Sequence, residues 1–201
     1  MTIALPKGRI ADDTLRIFSS ILGEEFLFDD RKLILQKGNF SFLLVRNQDV
    51  PTYVYHQAAD IGVVGLDVLE ESKIDVLKIL DMRIGRCKIV VGSEIGKPID
   101  YTKSHIKIAT KMPRITQEYF SKKAIAVDVI KLYGSIELAP LVGLSDGIVD
   151  IVETGTTMRQ NNLEIDSVIM ESSVFLIANK NSFFSKKREI LQLQEKIKGF
   201  L

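Results

Sequence analysis

The densest run of chemically useful side chains lies at residues 146–159, Asp146-Gly-Ile-Val-Asp150-Ile-Val-Glu153-Thr154-Gly155-Thr156-Thr157-Met-Arg159. Its first half is apolar at successive positions, as a strand buried on both faces should be. That strand delivers two carboxylates, Asp150 and Glu153, into a turn of one glycine and three threonines that opens a helix. Free backbone N–H groups, hydroxyls and a positive helix end all favour a phosphate monoester. Carboxylates just upstream can accept hydrogen bonds from ribose hydroxyls and offset positive charge that develops on a sugar ring. The segment suits a sugar phosphate. A threonine N-cap would account for Thr154 or Thr156 singly, but not for two acids, three threonines and a glycine within eight positions.

Three other strand ends carry polar groups. Lys7-Gly8-Arg9 follows the first strand directly, at the edge where open α/β sheets bind ligands; glycine permits close approach, and the two cations can pair with a polyphosphate. Arg46 holds the same position after a second strand. Asp49 and Pro51 just beyond it read as an N-cap and a first-turn proline. Gly62, Gly65 and Asp67 close a third strand, with Asp67 equally able to cap the helix that follows. Arg31 and Lys32 precede another.

The elements that must hold these residues alternate. β-rich runs at 2–5, 40–45, 61–65, 106–110, 127–132 and 148–152 are each followed by a helical pattern, which predicts parallel sheets covered by helices. Two faint echoes suggest two lobes built alike. Ile3-Ala4, Arg9-Ile10 and Leu15 recur at constant offset as Ile108-Ala109, Arg114-Ile115 and Phe120. Asp60-Ile61 and Gly65 recur as Asp150-Ile151 and Gly155. The lobes divide as residues 1–86 plus 172–201 and residues 87–171. Residues 92–103 read as a surface loop, and 185–201 as an amphipathic closing helix.

Composition excludes several classes. With 46% hydrophobic and 26% charged residues the chain is an ordinary globular protein, and 27 basic against 26 acidic side chains argue against a nucleic-acid binder. The basic stretch Lys186-Lys187-Arg188 reads as a solvated face. A lone Cys87 allows no intrachain disulfide and fits a reducing, cytoplasmic setting. His56 and His105 lie far apart, so no Cys/His metal cluster is expected. No secretory segment and no run of roughly 20 apolar residues is present, so neither export nor membrane insertion is expected.

Residues 4–9 (Ala-Leu-Pro-Lys-Gly-Arg), 49–54, 58–63 and above all 131–144 (Lys-Leu-Tyr-Gly-Ser-Ile-Glu-Leu-Ala-Pro-Leu-Val-Gly-Leu), running into 150–157, resemble the ATP phosphoribosyltransferase family over nearly the whole chain. The resemblance implies the first reaction of histidine biosynthesis. Adenine N1 of ATP attacks C1 of phosphoribosyl pyrophosphate, giving phosphoribosyl-ATP and pyrophosphate. It implies an α/β fold of two similar lobes, with mostly parallel sheets flanked by helices as in type II periplasmic binding proteins, and an active site in the interlobe cleft.

By that resemblance Glu137, Asp150, Glu153, Thr154, Gly155, Thr156 and Thr157 hold phosphoribosyl pyrophosphate. Leu5, Lys7, Gly8, Arg9, Arg46, Gly65 and Asp67 line the ATP side, and Lys7, Arg9 and Arg31 act as catalytic cations. Mg²⁺ would be carried mainly by substrate pyrophosphate, with no metal ligands from the protein. The chain resembles the short form of the family, which implies a regulatory subunit similar to histidyl-tRNA synthetase and a homodimer within a hetero-oligomer. Phe175 stands where the family often has arginine. A non-catalytic solute-binding or sensing module of the same architecture is the alternative.

Overall fold

The computed structural model describes residues 1–29 and 31–201. In chain order the elements are β1 (Thr2–Pro6), α1 (Arg9–Leu22), β2 (Ile34–Lys37), β3 (Phe40–Val45), α2 (Val50–Tyr55), β4 (Ile61–Gly65), α3 (Leu66–Ser72) and β5 (Leu77–Asp81). Next come β6 (Cys87–Glu94), β7 (Ile106–Thr110), α4 (Pro113–Lys122), β8 (Val127–Lys131), α5 (Leu138–Leu141), β9 (Gly147–Val152), α6 (Thr156–Gln160) and β10 (Leu163–Ser172). β11 (Val174–Ala178), α7 (Lys180–Ser185) and α8 (Lys187–Phe200) close the chain. Two compact units result, Met1–Gly85 with Ser173–Leu201, and Arg86–Ser172.

The first unit has one sheet in the order β2-β3-β1-β4-β11-β5, and the second has one in the order β10-β6-β9-β7-β8. The α/β class holds, but the sheets are mixed rather than mostly parallel. Among the described residues only β1–β3, β1–β4, β7–β8 and β7–β9 run parallel, four of nine pairings. The reason is connectivity. Parallel neighbours need a crossover, which α1, α2, α4 and α5 supply; β2 and β3 form a direct hairpin, and β5 to β6 and β10 to β11 run between units without a helix, so these strands pair antiparallel.

Each parallel core is covered on both faces. In the first unit α1 and α8 pack Leu15, Phe18, Ile190 and Ile197 against Ile3, Leu5 and Val63, while α2 and α3 pack Val50, Val54 and Val68 against Ala4 and Val64. The α1 positions Ala11, Thr14, Leu15 and Phe18 share one helical face. That helix stops at Gly23, whose φ of 70° suits glycine and whose N–H reaches the Ser19 carbonyl at 3.0 Å. In the second unit α4 lies over Ile108 and Val149 with Phe120, and α5 and α6 cover Ala109 and Ile148 with Ala139 and Met158.

Residues 92–94, expected in a loop, belong to β6, where they pair with Ile165, Glu164 and Leu163 of β10. Gly92 is a packing glycine there. A Cβ on it would lie 2.8 Å from the Glu164 carbonyl oxygen and 2.2 Å from Met158 Cε.

A single device opens the last parallel strand of each unit. Asp60 accepts the Thr2 N–H at 2.8 Å and returns its own N–H to the Thr2 carbonyl at 2.8 Å. Asp146 does the same with Lys107, again at 2.8 Å both ways. The structural counterpart of Asp60 is therefore Asp146, not Asp150, so the second echo read from sequence is out of register by four residues. Each carboxylate also pairs with a lysine, Asp60 with Lys186 at 2.7 Å and Asp146 with Lys103 at 2.6 Å. Lys186 is thus part of the fold rather than of a free basic face. The Ser182 hydroxyl donates to Asp60 at 2.9 Å, which ties α7 and the start of α8 to the β1–β4 junction.

Burial would raise the Asp60 carboxyl, but Lys186, the Thr2 N–H and Ser182 outweigh it and hold it below its ordinary 3.8. A depressed folded-state value means that the carboxylate stabilises the fold at neutral pH, and that this contribution is lost as pH falls below about 4. With its side chain only 13% exposed, Asp60→Ala is expected to cost roughly 2–4 kcal/mol in urea unfolding at pH 7. Asp60→Asn should flatten the acid limb of the stability–pH curve. An unchanged acid limb would show that Asp60 does not set it. Asp146, at 23% side-chain exposure and so better screened, should cost only about 1 kcal/mol on the same substitution.

Candidate functional site

In the second unit the register of β7 with β9 (Ile108 with Gly147, Thr110 with Val149) sets the residue after the end of β7 against the middle of β9. Lys111 comes opposite Asp150, and their side chains form an ion pair at 2.9 Å. The chain leaves β7 for β8 on one side, and reaches β9 on the other through α5. The β7–β9 junction is therefore the switch point of this sheet, where open α/β folds leave a crevice. A cavity of about 370 Å³ opens there, lined by Lys111, Glu137, residues 150–157 and Met158. Its volume is at the small end of ligand sites and suits a small polar molecule.

All seven residues expected to hold the sugar donor, Glu137, Asp150, Glu153, Thr154, Gly155, Thr156 and Thr157, line this one cavity. Asp150 is buried, and its Oδ1 takes both the Lys111 ammonium and the Ile151 N–H at 2.8 Å. Glu137 sits at the start of α5, and Glu153 corresponds to Asp67, each seven residues beyond its strand-opening aspartate.

The loop itself is set by Gly155, whose φ of 76° lies where only glycine is comfortable. A Cβ there would make only ordinary contacts, 3.8 Å from Val152 and 3.9 Å from Ile165, so the constraint is conformational. Thr154 Oγ1 lies 3.0 Å from Thr156 Oγ1 and accepts the Thr156 N–H at 3.4 Å. Arg159 donates to the Thr154 carbonyl at 3.4 Å, and because a peptide plane opposes its C=O and N–H, this fixes the direction of the Gly155 N–H. Buried Met158 anchors the turn in the core below. α6 has only five residues, so a helix dipole contributes little. What the turn can offer an anion is individual amides and hydroxyls, since the first amides of any helix lack intrahelical partners.

The remaining candidates lie on the first unit. Pro6 pairs with Val45 and Ala4 with Gly62, so Lys7 adjoins Arg46 on one side and, by continued register, Gly65 on the other. Antiparallel β2 pairs with β3 from Ile34 opposite Leu43, and Arg31 stands three residues before it, in a turn with φ 60°. Arg31, Arg46 and Lys7 are all exposed, and the backbones of Lys7 and Arg46, at the ends of neighbouring strands, lie about 5 Å apart. Leu5 is buried in β1 beneath them. Gly8, with φ 100° and ψ −158°, adopts backbone open to glycine alone and turns the chain into α1, whose first residue is Arg9. Asp67 is buried, its carboxylate folded over Gly65, where a Cβ would stand 2.1 Å from Oδ1. It is the second residue of α3 rather than its N-cap, a place that Gly65 takes. Asp49 likewise forms no side-chain cap, because a 3₁₀ turn at Asn47–Asp49 leads straight into α2.

Lys111 is the lining residue that sequence reasoning missed. It sits one place off the Lys7 echo, since the constant offset matches Lys7 to Met112. A lysine immediately after a buried strand was the available signal. Phe175 packs with Ala4, Val64 and Val68 on the α2–α3 face, so its ring is part of a core at that position. Among the described residues no three His, Cys, Asp or Glu side chains stand close enough to share a metal ion, and no helix is long and apolar enough to cross a membrane.

Comparison with known proteins is unambiguous. The family model described as ATP phosphoribosyltransferase matches residues 46–199. The ATP phosphoribosyltransferase of Wolinella succinogenes is 68% identical over 96% of this chain and 94% of its own length, and that of Helicobacter hepaticus is 66% identical over 99% and 97%. Among solved structures, the ATP phosphoribosyl transferase (HisG:HisZ) complex from Thermotoga maritima contains a chain that superposes with a TM-score of 0.89 at 34% identity, covering 99% of this chain and 97% of that one. The substrate binding protein of an amino acid ABC transporter, at TM-score 0.61 and 15% identity over 98% and 91% of the two chains, shares the fold alone. On identity, coverage and structural match together, the chain belongs to the ATP phosphoribosyltransferase family.

Proposed function

We propose that this chain joins ATP to phosphoribosyl pyrophosphate, forming a bond from adenine N1 to C1 of the ribose as the bond from C1 to the pyrophosphate oxygen breaks. The products are phosphoribosyl-ATP and pyrophosphate, and the step opens histidine biosynthesis. One observation carries the reading: Glu137, Asp150, Glu153 and the hydroxyl-rich turn 154–157 line a single cavity at a sheet switch point. The turn's amides and hydroxyls suit the 5-phosphate, and the carboxylates suit the ribose hydroxyls. The exposed Arg31, Arg46 and Lys7 suit a di- or triphosphate, with Arg9 at the start of the following helix.

Adenine N1 already carries a lone pair, so the reaction needs no strong base. Orientation of N1 on C1 and electrostatic relief for the departing pyrophosphate account for the acceleration. In this reading Mg²⁺ arrives on pyrophosphate oxygens as part of the substrate. The Thermotoga maritima relative was solved as a complex of two components. We infer a corresponding partner here, a histidyl-tRNA-synthetase-like regulatory subunit, with the catalytic chain acting in the cytoplasm.

Mixing ATP, phosphoribosyl pyrophosphate and Mg²⁺ with the chain and its partner subunit should release pyrophosphate and yield phosphoribosyl-ATP, followed by ultraviolet absorbance. Binding of either substrate without turnover would favour a sensing module instead. Thr156→Val with Thr157→Val should raise KM for phosphoribosyl pyrophosphate by about 10- to 100-fold, the loss expected for one or two hydrogen bonds to a charged group. KM for ATP should stay within about twofold, because substrates held by separate contacts respond independently. Equal losses for both substrates would contradict the assignment of the turn. Gly155→Ala should cost about 1 kcal/mol of stability from its left-handed backbone and weaken the sugar donor along with it.

A further inference from the structure

We propose that Lys111 is the cation that receives the donor's phosphate monoester in the second-unit cavity, and that Asp150 is the positioning residue that holds it ready. The inference rests on the reading of the 150–157 segment as a sugar-phosphate site. Of the eleven lining residues three are acidic, Glu137, Asp150 and Glu153, and Lys111 alone is basic. A phosphate dianion entering such a cavity meets an unfavourable field unless a cation is already in place.

The geometry supplies one. Lys111 follows β7 directly, and the β7–β9 register sets it across from Asp150 at the switch point. The 2.9 Å ion pair uses one of its three N–H groups, and the side chain is 36% exposed, which leaves two donors able to turn into the cavity. Asp150 is itself held rigidly. Its side chain is only 10% exposed, and Oδ1 is fixed by the Ile151 N–H as well as by the ammonium. The same carboxylate thus positions the cation through Oδ1. Lys97 and Lys103, also on this unit, are tied to Glu94 and Asp146 and line a different cavity.

The test uses the full chain with its partner subunit and two probes, ribose 5-phosphate and Mg²⁺-pyrophosphate, measured by titration calorimetry alongside steady-state kinetics. Lys111→Met should weaken ribose 5-phosphate at least about tenfold, as loss of a charge-assisted contact does, and raise KM for phosphoribosyl pyrophosphate to match. Pyrophosphate affinity and KM for ATP should hold, while the melting temperature falls because the buried Asp150 carboxylate loses its partner. Lys111→Arg should restore most of the ribose 5-phosphate affinity, and Asp150→Asn should weaken that probe by misplacing the lysine.

Ribose 5-phosphate affinity unchanged in Lys111→Met would overturn the proposal, as would a loss confined to pyrophosphate. If the wild-type protein itself failed to bind ribose 5-phosphate, the sugar-phosphate reading would fall first. If wild type bound it and the Thr156/Thr157 variant lost it while Lys111→Met did not, only the role of Lys111 would fall. A purely structural lysine would shift every affinity together, with no selective loss of ribose 5-phosphate.

Discussion

Parallel pairing of a buried strand with its neighbour is the constraint from which the rest of the second unit derives. β9 is buried along almost its whole length, with cores on both faces, so its position relative to β7 is set by packing and by the backbone ladder together. At its opening end Asp146 exchanges two hydrogen bonds with Lys107 and fixes the register. At its far end the same register puts Asp150 across from Lys111 and releases the 153–157 turn beside them. A slip of one residue would move every side chain of the strand to the opposite face and separate that pair. The joint that determines the chemistry thus lies about four residues, roughly 13 Å, upstream of it.

The first unit repeats the plan with a different outcome. Asp60 opens β4 as Asp146 opens β9, and α2 crosses from β3 to β4 as α5 crosses from β8 to β9. The two units diverge beyond their strand ends. In one, a glycine and three threonines present amides and hydroxyls to a cavity. In the other, Asp67 folds back over Gly65, and the full charges come from Lys7 and Arg46 at the ends of neighbouring strands, with Arg31 in the turn before β2. A shared strand-opening device thereby leads to a hydroxyl-rich turn in one unit and to exposed cations in the other.

Much of this was legible in the sequence because local pattern and global packing agree along the parallel strands. Runs such as Ile61-Gly-Val-Val and Ile148-Val-Asp-Ile-Val are apolar at successive positions because helices cover both faces, and the turn at 153–157 announces itself by composition. The antiparallel strands were harder. β5, β10 and β11 are amphipathic or short, and their place in the sheets depends on where the chain goes between units, which no local pattern encodes. Gly92 read as a turn because glycine usually marks one, whereas here it makes room for Met158. The second echo was misaligned for a related reason: aspartate recurs at both 146 and 150, and only the hydrogen bonds of Asp146 to Lys107 identify the true counterpart of Asp60. Lys111 stayed hidden because its meaning lies in a cross-strand pair, 39 residues away in sequence.

The contrast between dipoles and charges matches what each phosphate does in the proposed reaction. The 5-phosphate of the sugar keeps its charge from substrate to product, so binding it strongly lowers the energy of substrate and transition state alike and accelerates nothing by itself. Amides, hydroxyls and one lysine already shared with Asp150 are sufficient there, and they use the phosphate as a handle that orients C1. Pyrophosphate gains negative charge as its bond to C1 lengthens. Groups that respond to that gain stabilise the transition state selectively, and exposed arginine and lysine do so more strongly than neutral dipoles of comparable reach. In a protein whose total charge is only +1, Lys7 and Arg46 stand together at one strand edge, and in the proposed reaction such paired full charges are what a leaving group acquiring charge requires.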